Sequence, residues 1–295
     1  MLPNFFVAGA QKCATTSLHM YLAGHPDIYL PQIKETKHFL VDERYIKGMN
    51  YYETHFFGGW QGEKAIGEVD PDYIYFDIAL KRMERHLDLS ERKFIFIFRN
   101  PVDRAFSHYL MTYRRGLEPL TFENAIELEK DRIKKDFYSK LHYSYIDRGY
   151  YFRQLQKFIQ RTKPSQILIL LTEDLKKDPP NTLKKCYDFL EIDNRFESNQ
   201  PYVQHHKATL PKSMILLKNI INKEDTPMKK MGRFFVPNKK LRQKIRESLL
   251  KINQTEKKVI SLQENTKKQL INVYIPENEK LATFIDRDLS HWNNG

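Results

Sequence analysis

The stretch that decides the fold runs from residue 5 to residue 17 and reads FFVAGAQKCATTS. Phe5–Ala8 is a compact apolar run typical of a buried strand, and a polar turn separates it from an apolar helix predicted from about Thr16 to Leu22. This order of strand, turn and helix places free backbone N–H groups and the positive end of a helix dipole at the turn. Gly9–Ser17 therefore has the context of an anion-binding loop.

The same loop differs from the phosphate loop of nucleoside triphosphatases. That pattern needs a Gly-Lys pair immediately before the hydroxyl residues, whereas Lys12 comes three residues after Gly9 and no such pair is present. Thr15, Thr16 and Ser17 supply hydroxyl donors. The alternative is an ordinary turn in which a Thr or Ser caps the helix.

Further apolar runs along the chain alternate with helical patterns. Ala65–Gly67, Phe94–Phe98 and Ile167–Leu171 are predicted strands, and helices are predicted over Ile74–Leu87 and about 149–161. Strands that are apolar throughout and alternate with helices indicate a parallel sheet buried on both faces. We expect an α/β fold, with a central parallel sheet flanked by helices.

The C-terminal part, from about residue 176, is predicted to be mostly helical. Prolines punctuate the stretch 195–240, which is typical of a lid or substrate-binding loop region. The stretch Lys239–Gln269 is amphipathic and basic. Neither a repeat nor a low-complexity linker interrupts the sequence, so a single domain over 1–295 is the simplest organisation.

A second strand–turn–helix follows Phe98. Arg99 lies where the predicted strand ends, at the sheet edge where α/β folds bind ligands, and Pro101 suits the first turn of the next helix. Ser107 lies eight residues after Arg99, on that helix. A guanidinium and a hydroxyl placed in this way can bind a second phosphate. The alternative is an arginine that pairs with Asp103.

Composition limits the class of protein and of partner. Hydrophobic residues make up 41% of the 295 residues, which is enough for a large core. The net charge of +12 is concentrated in residues 201–270, which contain 17 Lys and Arg but only 5 Asp and Glu. This excess indicates an anionic partner, unless it is only a solvated helix face. We find no bilayer-spanning apolar run and no signal peptide, and two cysteines are too few for a disulfide framework, so we expect a cytoplasmic protein.

Taken together, several segments in the same order along the chain resemble the sulfotransferases that use 3′-phosphoadenosine 5′-phosphosulfate (PAPS), in particular bacterial and heparan-sulfate-type enzymes. Besides the two strand–turn–helix segments, the similarity is carried by AGHPDIYLPQIKETKHF, GEVDPDY, RGYYFRQLQKF with ILILLTEDLKKDP, and LATFIDRDLSHW. The resemblance implies a P-loop-like phosphosulfate-binding loop and transfer of the sulfuryl group to an acceptor, with release of adenosine 3′,5′-bisphosphate (PAP).

The resemblance also implies roles for particular residues. Lys12 matches the lysine that contacts the bridging oxygen and the sulfuryl group, and Arg99 and Ser107 match the pair that binds the 3′-phosphate. Lys207 lies in HHKATLPKS, where the family often has a basic loop over that phosphate. The residues that match the 5′-phosphate loop are Gln11, Lys12, Cys13, Ala14, Thr15, Thr16 and Ser17.

Glu35 matches the glutamate that is the catalytic base of the heparan-type enzymes. Two departures affect this acceptor side: Lys37 stands where those enzymes usually have histidine, with His38 following, and Val69 stands where they often have lysine. His38 is the rival base, because its ordinary pKa suits proton transfer near neutrality. From the residues alone, a glutamate in such a sequence is more often a loop carboxylate paired with a neighbour such as Lys34 or Lys37, and the role of base comes from the resemblance.

The function predicted is therefore in-line sulfuryl transfer from PAPS to an acceptor hydroxyl, on an anionic carbohydrate or a small natural product. We expect no metal, because lysine, arginine and helix N-termini supply the positive field, and no nucleic-acid partner. Two alternatives stay open. A P-loop-like small-molecule kinase shares the first strand–turn–helix, and a basic nucleic-acid-binding protein explains the charge of residues 201–270.

Overall fold

The structure is a computed structural model, and it describes residues 1–197 and 260–294 together with the isolated positions 210–211, 248 and 254–255. Most of the predicted loop region 195–240, the basic stretch from Lys239 up to residue 259, and Lys207 therefore lie outside the described residues. The chain divides into two compact units. One contains Met1–Ala105, Ile146–His205 and Lys267–Gly295, and the other contains Phe106–Tyr145 and His206–Thr266.

The first unit is built on a five-stranded parallel sheet with the strand order β2-β3-β1-β4-β5. The strands are β1 (Phe5–Gly9), β2 (Ile28–Tyr29), β3 (Ala65–Val69), β4 (Lys93–Phe98) and β5 (Ile167–Leu171). β1 lies in the centre, where Val7 pairs with Val69 on one side and Ile95 on the other. The α/β class and the parallel sheet predicted from the sequence are confirmed.

Helices connect these strands, as parallel strands require. The first unit contains, in chain order, α1 (Thr15–Leu22), α2 (Asp42–Tyr45), α3 (Gly48–Phe57), α4 (Asp77–His86), the start of α5 (Pro101–Arg114), α9 (Tyr151–Ile159), α10 (Thr172–Lys177), α11 (Pro179–Leu190) and most of α12 (Glu264–Ile285). None of the helices in the described ranges is both long and apolar enough to cross a bilayer.

One predicted boundary differs from the structure, and one strand was not predicted. The helix expected over Ile74–Leu87 begins only at Asp77, because Tyr73 and Tyr75 belong to a turn in which backbone amides bond to Asp70 and Asp72. The short strand β2 was not predicted, since a two-residue edge strand has no periodicity to detect.

The second unit contains the rest of α5, the helices α6 (Phe122–Glu127) and α7 (Glu129–Arg132), and α8 (Phe137–Tyr143). Its described part is organised by the buried carboxylate of Glu118. That group accepts hydrogen bonds from Arg132 at 2.7 Å and from the Tyr145 hydroxyl at 2.7 Å. A buried carboxylate with a charged partner and a hydroxyl donor is satisfied, so this network has a structural role.

Candidate active site at the carboxyl edge of the sheet

Four strands of the first unit end at one edge of the sheet, and each is followed by polar residues. Gly9 at the end of β1 begins the loop Gly9–Ser17, here called the phosphate loop. Asp70 follows β3, Arg99 follows β4 and Thr172 follows β5. Ligands in open α/β sheets bind at this edge, so the topology brings the predicted cofactor residues of the first unit to one side of the sheet.

The phosphate loop enters α1 without a side-chain cap. Lys12 and Ala14 have φ angles of 69° and 64°, in the left-handed region that non-glycine residues rarely adopt. The Ala14 side chain cannot accept a hydrogen bond, and the first turn of α1 carries no acidic residue. The first N–H groups of α1 are therefore neither capped by a side chain nor neutralised by a carboxylate, which leaves this end suited to an anion.

The hydroxyl of Thr172, the first residue of α10, holds the phosphate loop. It contacts the carbonyl oxygens of Cys13 at 3.2 Å and Phe98 at 3.0 Å, so the phosphate loop is connected to the ends of β4 and β5. Cys13 itself is buried beside the Tyr151 hydroxyl at 3.6 Å, and burial raises the pKa of its thiol to about 11. Cys13 is thus a neutral packing residue. Thr172 was missed, although a hydroxyl directly after an apolar strand is a visible signal.

The loop also contains an unpaired polar atom. Gln11 Oε1 is buried and has no hydrogen-bond partner among the residues that the structure describes. An unsatisfied buried amide costs about 1–3 kcal/mol, and a ligand that bonds to it recovers this free energy. Because the carboxamide can rotate to offer its oxygen or its nitrogen, the position fits a polar ligand such as a phosphosulfate.

The second loop of the site is Lys34–Phe39, here called the glutamate loop. Its backbone is fixed to β3, since the Glu35 amide donates to the Val69 carbonyl at 3.2 Å. Glu35 and Lys37 have φ angles of 68° and 57°, so both non-glycine residues are held in the left-handed region. Such strain persists only where surrounding contacts impose it, and it is concentrated at functional sites. β3 pairs with β1, so the strand to which this loop is bonded is adjacent to the strand that precedes the phosphate loop.

Glu35 lies between two ammonium groups. Its Oε1 is 2.8 Å from Lys34 Nζ and its Oε2 is 2.9 Å from Lys37 Nζ, while 36% of the side chain stays exposed. Burial by itself raises the pKa of Glu35, but the charges of Lys37 and Lys34 outweigh it and the pKa lies below its usual 4.5. The carboxylate is therefore ionised at neutral pH and can accept a proton.

Buried carboxylates surround Lys37. Its ammonium contacts Asp70 Oδ1 at 2.8 Å and Asp72 Oδ2 at 2.5 Å in addition to Glu35. Glu35, Asp70 and Asp72, here called the carboxylate cluster, offer oxygens within 4.8 Å of one another, which is close enough to bind a metal ion. Here the chain's own ammonium binds them. The function of the site without a metal stays a prediction.

Glu68, the residue before Val69 on β3, fixes the glutamate loop through a hydrogen bond from Thr36. Its buried carboxylate accepts hydrogen bonds from the hydroxyls of Thr36, Tyr52 and Tyr73. Burial and the nearby Asp70 raise the pKa of Glu68 to about 7, against the lowering effect of the three hydroxyls. Because Thr36 follows Glu35 directly, these hydrogen bonds to Glu68 fix the position of the glutamate loop.

His38 occupies a different environment from Glu35. Its ring is fully buried, stacks on Tyr52 with centroids 4.4 Å apart, and has no hydrogen-bond partner at either nitrogen within the described ranges. Desolvation lowers the pKa of His38 to about 4, helped by the charges of His86 and Arg82. The ring is therefore neutral at pH 7 and packed in an aromatic cluster.

Arg99 is partly exposed and forms the ion pair with Asp103 that was the alternative predicted from the sequence. Arg99 Nη2 lies 3.2 Å from Asp103 Oδ2, with the aspartate more than half exposed. An exposed pair of this kind contributes about 0–1 kcal/mol, so an arriving phosphate can replace it. Beside it lies a cavity of about 220 Å³, which is large enough for a phosphoryl group. Its lining residues are Arg99, Asn100, Asp103, Thr172, Glu173, Lys176, His291 and Trp292.

The C-terminal segment LSHW closes one side of this cavity. Glu173 accepts hydrogen bonds from Trp292 Nε1 at 2.9 Å and from His291 Nε2 at 3.0 Å. Two segments that are far apart in sequence therefore meet at the end of β5. The other predicted 3′-phosphate residues are not tested: Ser107 belongs to the second unit, on α5, and Lys207 lies outside the described residues.

Comparison with known proteins assigns the family. The sulfotransferase domain family profile matches residues 2–266. The chain belongs to the sulfotransferase family. It is thus a member of the PAPS-dependent enzyme class that its sequence resembles, and the prediction of that class is confirmed.

A bacterial structure and several curated relatives are similar to this sulfotransferase domain. The sulfotransferase from Alicyclobacillus acidocaldarius matches with a TM-score of 0.69 and 26% identity over 100% of both chains. The membrane-associated sulfotransferase kil1 of Dictyostelium discoideum is 34% identical over 45% of this chain and 29% of its own length. The mouse heparan sulfate glucosamine 3-O-sulfotransferase 3A1 is 28% identical over 68% of this chain and 49% of its own length. This chain thus spans less than half of these curated relatives.

Proposed function

We propose that this chain transfers the sulfuryl group of PAPS to an acceptor hydroxyl, with Glu35 as the base. The observation that carries the proposal is the pairing of an uncapped, acid-free α1 N-terminus after β1 with an ionised carboxylate anchored to the adjacent strand β3. One feature suits a phosphosulfate, and the other suits the proton of an acceptor. The family match favours this function over the kinase and nucleic-acid alternatives.

PAPS supplies the activated sulfuryl group, whose bond to the 5′-phosphate oxygen breaks as the acceptor oxygen bonds to sulfur. The phosphate loop binds the 5′-phosphate with its N–H groups, and Lys12 stabilises the negative charge that develops on the departing oxygen. The acceptor's proton passes to Glu35, so the products are a sulfate ester, PAP and a protonated carboxyl group. Arg99 binds the 3′-phosphate, and the family resemblance assigns Ser107 and Lys207 to the same phosphate.

Glu35 is preferred to His38 as the base for two reasons. More than a third of the Glu35 side chain is exposed, whereas the His38 side chain is fully buried. A base must also lie within hydrogen-bond reach of the acceptor's proton, and the His38 ring is enclosed by Phe39, Tyr45 and Tyr52. The acceptor we propose is a hydroxyl compound, either a carbohydrate or a small natural product, because a carboxylate base removes a hydroxyl proton during transfer.

The experiment is transfer of ³⁵S from labelled PAPS to a heparosan polysaccharide, a phenol and an aliphatic alcohol, with water as the acceptor in a further reaction. We expect label in an ester or, without an acceptor, as free sulfate released above the protein-free rate. Label that never leaves the nucleotide faster than in the protein-free control contradicts the proposal. An aliphatic amine is included as a further acceptor, and label transferred only to that amine contradicts the assignment to hydroxyls.

A further inference from the structure

Lys37 is a buried cation with three anionic partners. Only 18% of its side chain is exposed, and its ammonium contacts Asp70, Asp72 and Glu35 at 2.8, 2.5 and 2.9 Å. Burial alone would lower the pKa of Lys37, but the three carboxylates outweigh burial and raise it. The ammonium of Lys37 is therefore charged at neutral pH in the folded protein.

The position of Lys37 is fixed at both ends of the residue. Its backbone N–H donates to Asp70 Oδ2 at 3.2 Å, while its ammonium contacts Oδ1 of the same carboxylate. Asp72, the other buried partner, is held in turn by the buried guanidinium of Arg148, which lies 4.4 Å from the centre of the Tyr75 ring. The charges balance, because the three acids of the carboxylate cluster face Lys34, Lys37 and Arg148.

Lys34 contacts Glu35 from the other side but is held differently. Its Nζ is 2.8 Å from Glu35 Oε1, and it precedes Glu35 directly in the chain. His19 lies near Lys34, and burial together with the charge of Lys34 lowers the pKa of that ring to about 4. The ring is therefore neutral at pH 7, and among the described residues Glu35 is the carboxylate that pairs with Lys34. The two oxygens of Glu35 thus differ: Oε2 faces an ammonium that two buried aspartates also bind, whereas Oε1 faces an ammonium with no second carboxylate partner in the described ranges.

We propose that Lys37 is the positioning residue for Glu35, holding Oε2 so that Oε1 receives the acceptor's proton when Lys34 moves aside. This inference rests on the proposed function, since it assumes that Glu35 is the base. Proton transfer needs the base aligned within hydrogen-bond reach of the acceptor. In this chain an ammonium fixed by two buried aspartates provides that alignment.

The test compares two lysines that lie almost equally far from Glu35. Lys37→Met alone leaves buried carboxylates without their cation, which is strongly destabilising. The variant is therefore made together with Asp70→Asn, which keeps the cluster's charge balanced, and Asp70→Asn alone serves as its control. Lys34→Met is the matched variant, and Lys37→Arg tests for rescue by a conservative cation. Calorimetric binding of PAP is measured for every protein.

We expect Lys37→Met/Asp70→Asn to lose at least about 10-fold in kcat for PAP release from PAPS relative to Asp70→Asn, with an unchanged KM for PAPS. Lys34→Met should keep kcat within about 3-fold, and Lys37→Arg should restore most of the loss. Carboxyl NMR, assigned with Glu35→Gln, should show a higher pKa for Glu35 in both methionine variants, because each removes one of the two ammonium groups that lower it. A merely structural role for Lys37 would reduce the amount of protein that binds PAP and would leave kcat per PAP-binding site unchanged.

Equal losses of kcat in Lys34→Met and Lys37→Met/Asp70→Asn would overturn the proposal, because the effect would then be one of charge and not of anchoring. Full kcat in Lys37→Met/Asp70→Asn would overturn it as well. Failure of the proposed function has a different signature. In that case the wild-type protein binds no PAP and releases none from PAPS, while the pKa of Glu35 still responds to both lysines.

Discussion

The phosphate loop follows β1 and the glutamate loop is bonded to the end of the adjacent strand β3, yet the two loops are built in different ways. The phosphate loop is a local structure in which backbone N–H groups, Lys12 and hydroxyls come from one continuous stretch after β1. The glutamate loop depends on partners distant in sequence, since Lys37 contacts Asp70 and Asp72 and the latter contacts Arg148. A local site offers donors to an incoming anion, whereas an assembled site balances its own charges before any ligand arrives.

The largest expected effect separates the chemical roles of the two loops. Glu35→Gln should lower kcat by roughly 10²–10⁴-fold, because the amide cannot accept the acceptor's proton, while PAP affinity stays unchanged. The measurement is steady-state transfer of ³⁵S together with calorimetric binding of PAP. Glu53→Gln, a half-exposed glutamate paired with the N-terminus, is the control. Full activity in Glu35→Gln would make His38 the next base to test.

Lys12→Ala should have the next largest effect, on the phosphate-loop side of the comparison. Loss of a preorganised charge at the departing oxygen typically costs roughly 10²–10³-fold in kcat. Single-turnover release of PAP measures it directly. Lys64→Ala, at a surface lysine that is 69% exposed, should leave the rate unchanged. If Lys12→Ala changes only the KM for PAPS, then Lys12 binds the ground state and does not assist the departure of the phosphate.

Arg99→Ala should weaken PAP binding by roughly 10- to 100-fold, since a hydrogen bond to a charged group is worth about 1.5–3 kcal/mol. ADP, which lacks the 3′-phosphate, should bind the variant and the wild type equally. Isothermal calorimetry with both ligands measures the difference. Arg195→Ala removes an exposed arginine that is also paired with an aspartate, at 3.1 Å, and is the matched control. Equal loss of PAP and ADP affinity would place Arg99 away from the 3′-phosphate.

The smallest expected effect concerns stability in the assembled region. Burial raises the pKa of Glu68 from 4.5 to about 7, so the folded state binds a proton that the unfolded state has released. This contribution makes the free energy of unfolding fall as the pH rises from about 4.5 to about 7. Above about pH 7 the stabilisation by the Glu68 proton is absent. Urea unfolding should show a flatter pH dependence over this interval in Glu68→Gln than in the wild type. An unchanged slope would contradict the raised pKa.

The same contrast explains what could be predicted from the sequence. The strands at Phe94–Phe98 and Ile167–Leu171 are apolar throughout, and the structure contains them within a residue of those bounds. The phosphate loop was predictable because strand, turn and helix are contiguous. The ion pairs of Lys37 with Asp70 and Asp72 were not, since they depend on which side chains the folded backbone turns toward one another. Pairing of Glu35 with Lys34 or Lys37 was predicted as an alternative, but its contact with both was not.

Calorimetric titration of the wild-type protein with PAP, ADP and Mg-ATP tests most directly whether this sheet edge binds PAPS. We predict tight binding of PAP and much weaker binding of ADP, because ADP lacks the 3′-phosphate that Arg99 is proposed to contact. Equal or tighter binding of Mg-ATP would contradict this prediction in favour of phosphoryl transfer. No binding of any of the three nucleotides would contradict the assignment of this edge as a nucleotide site.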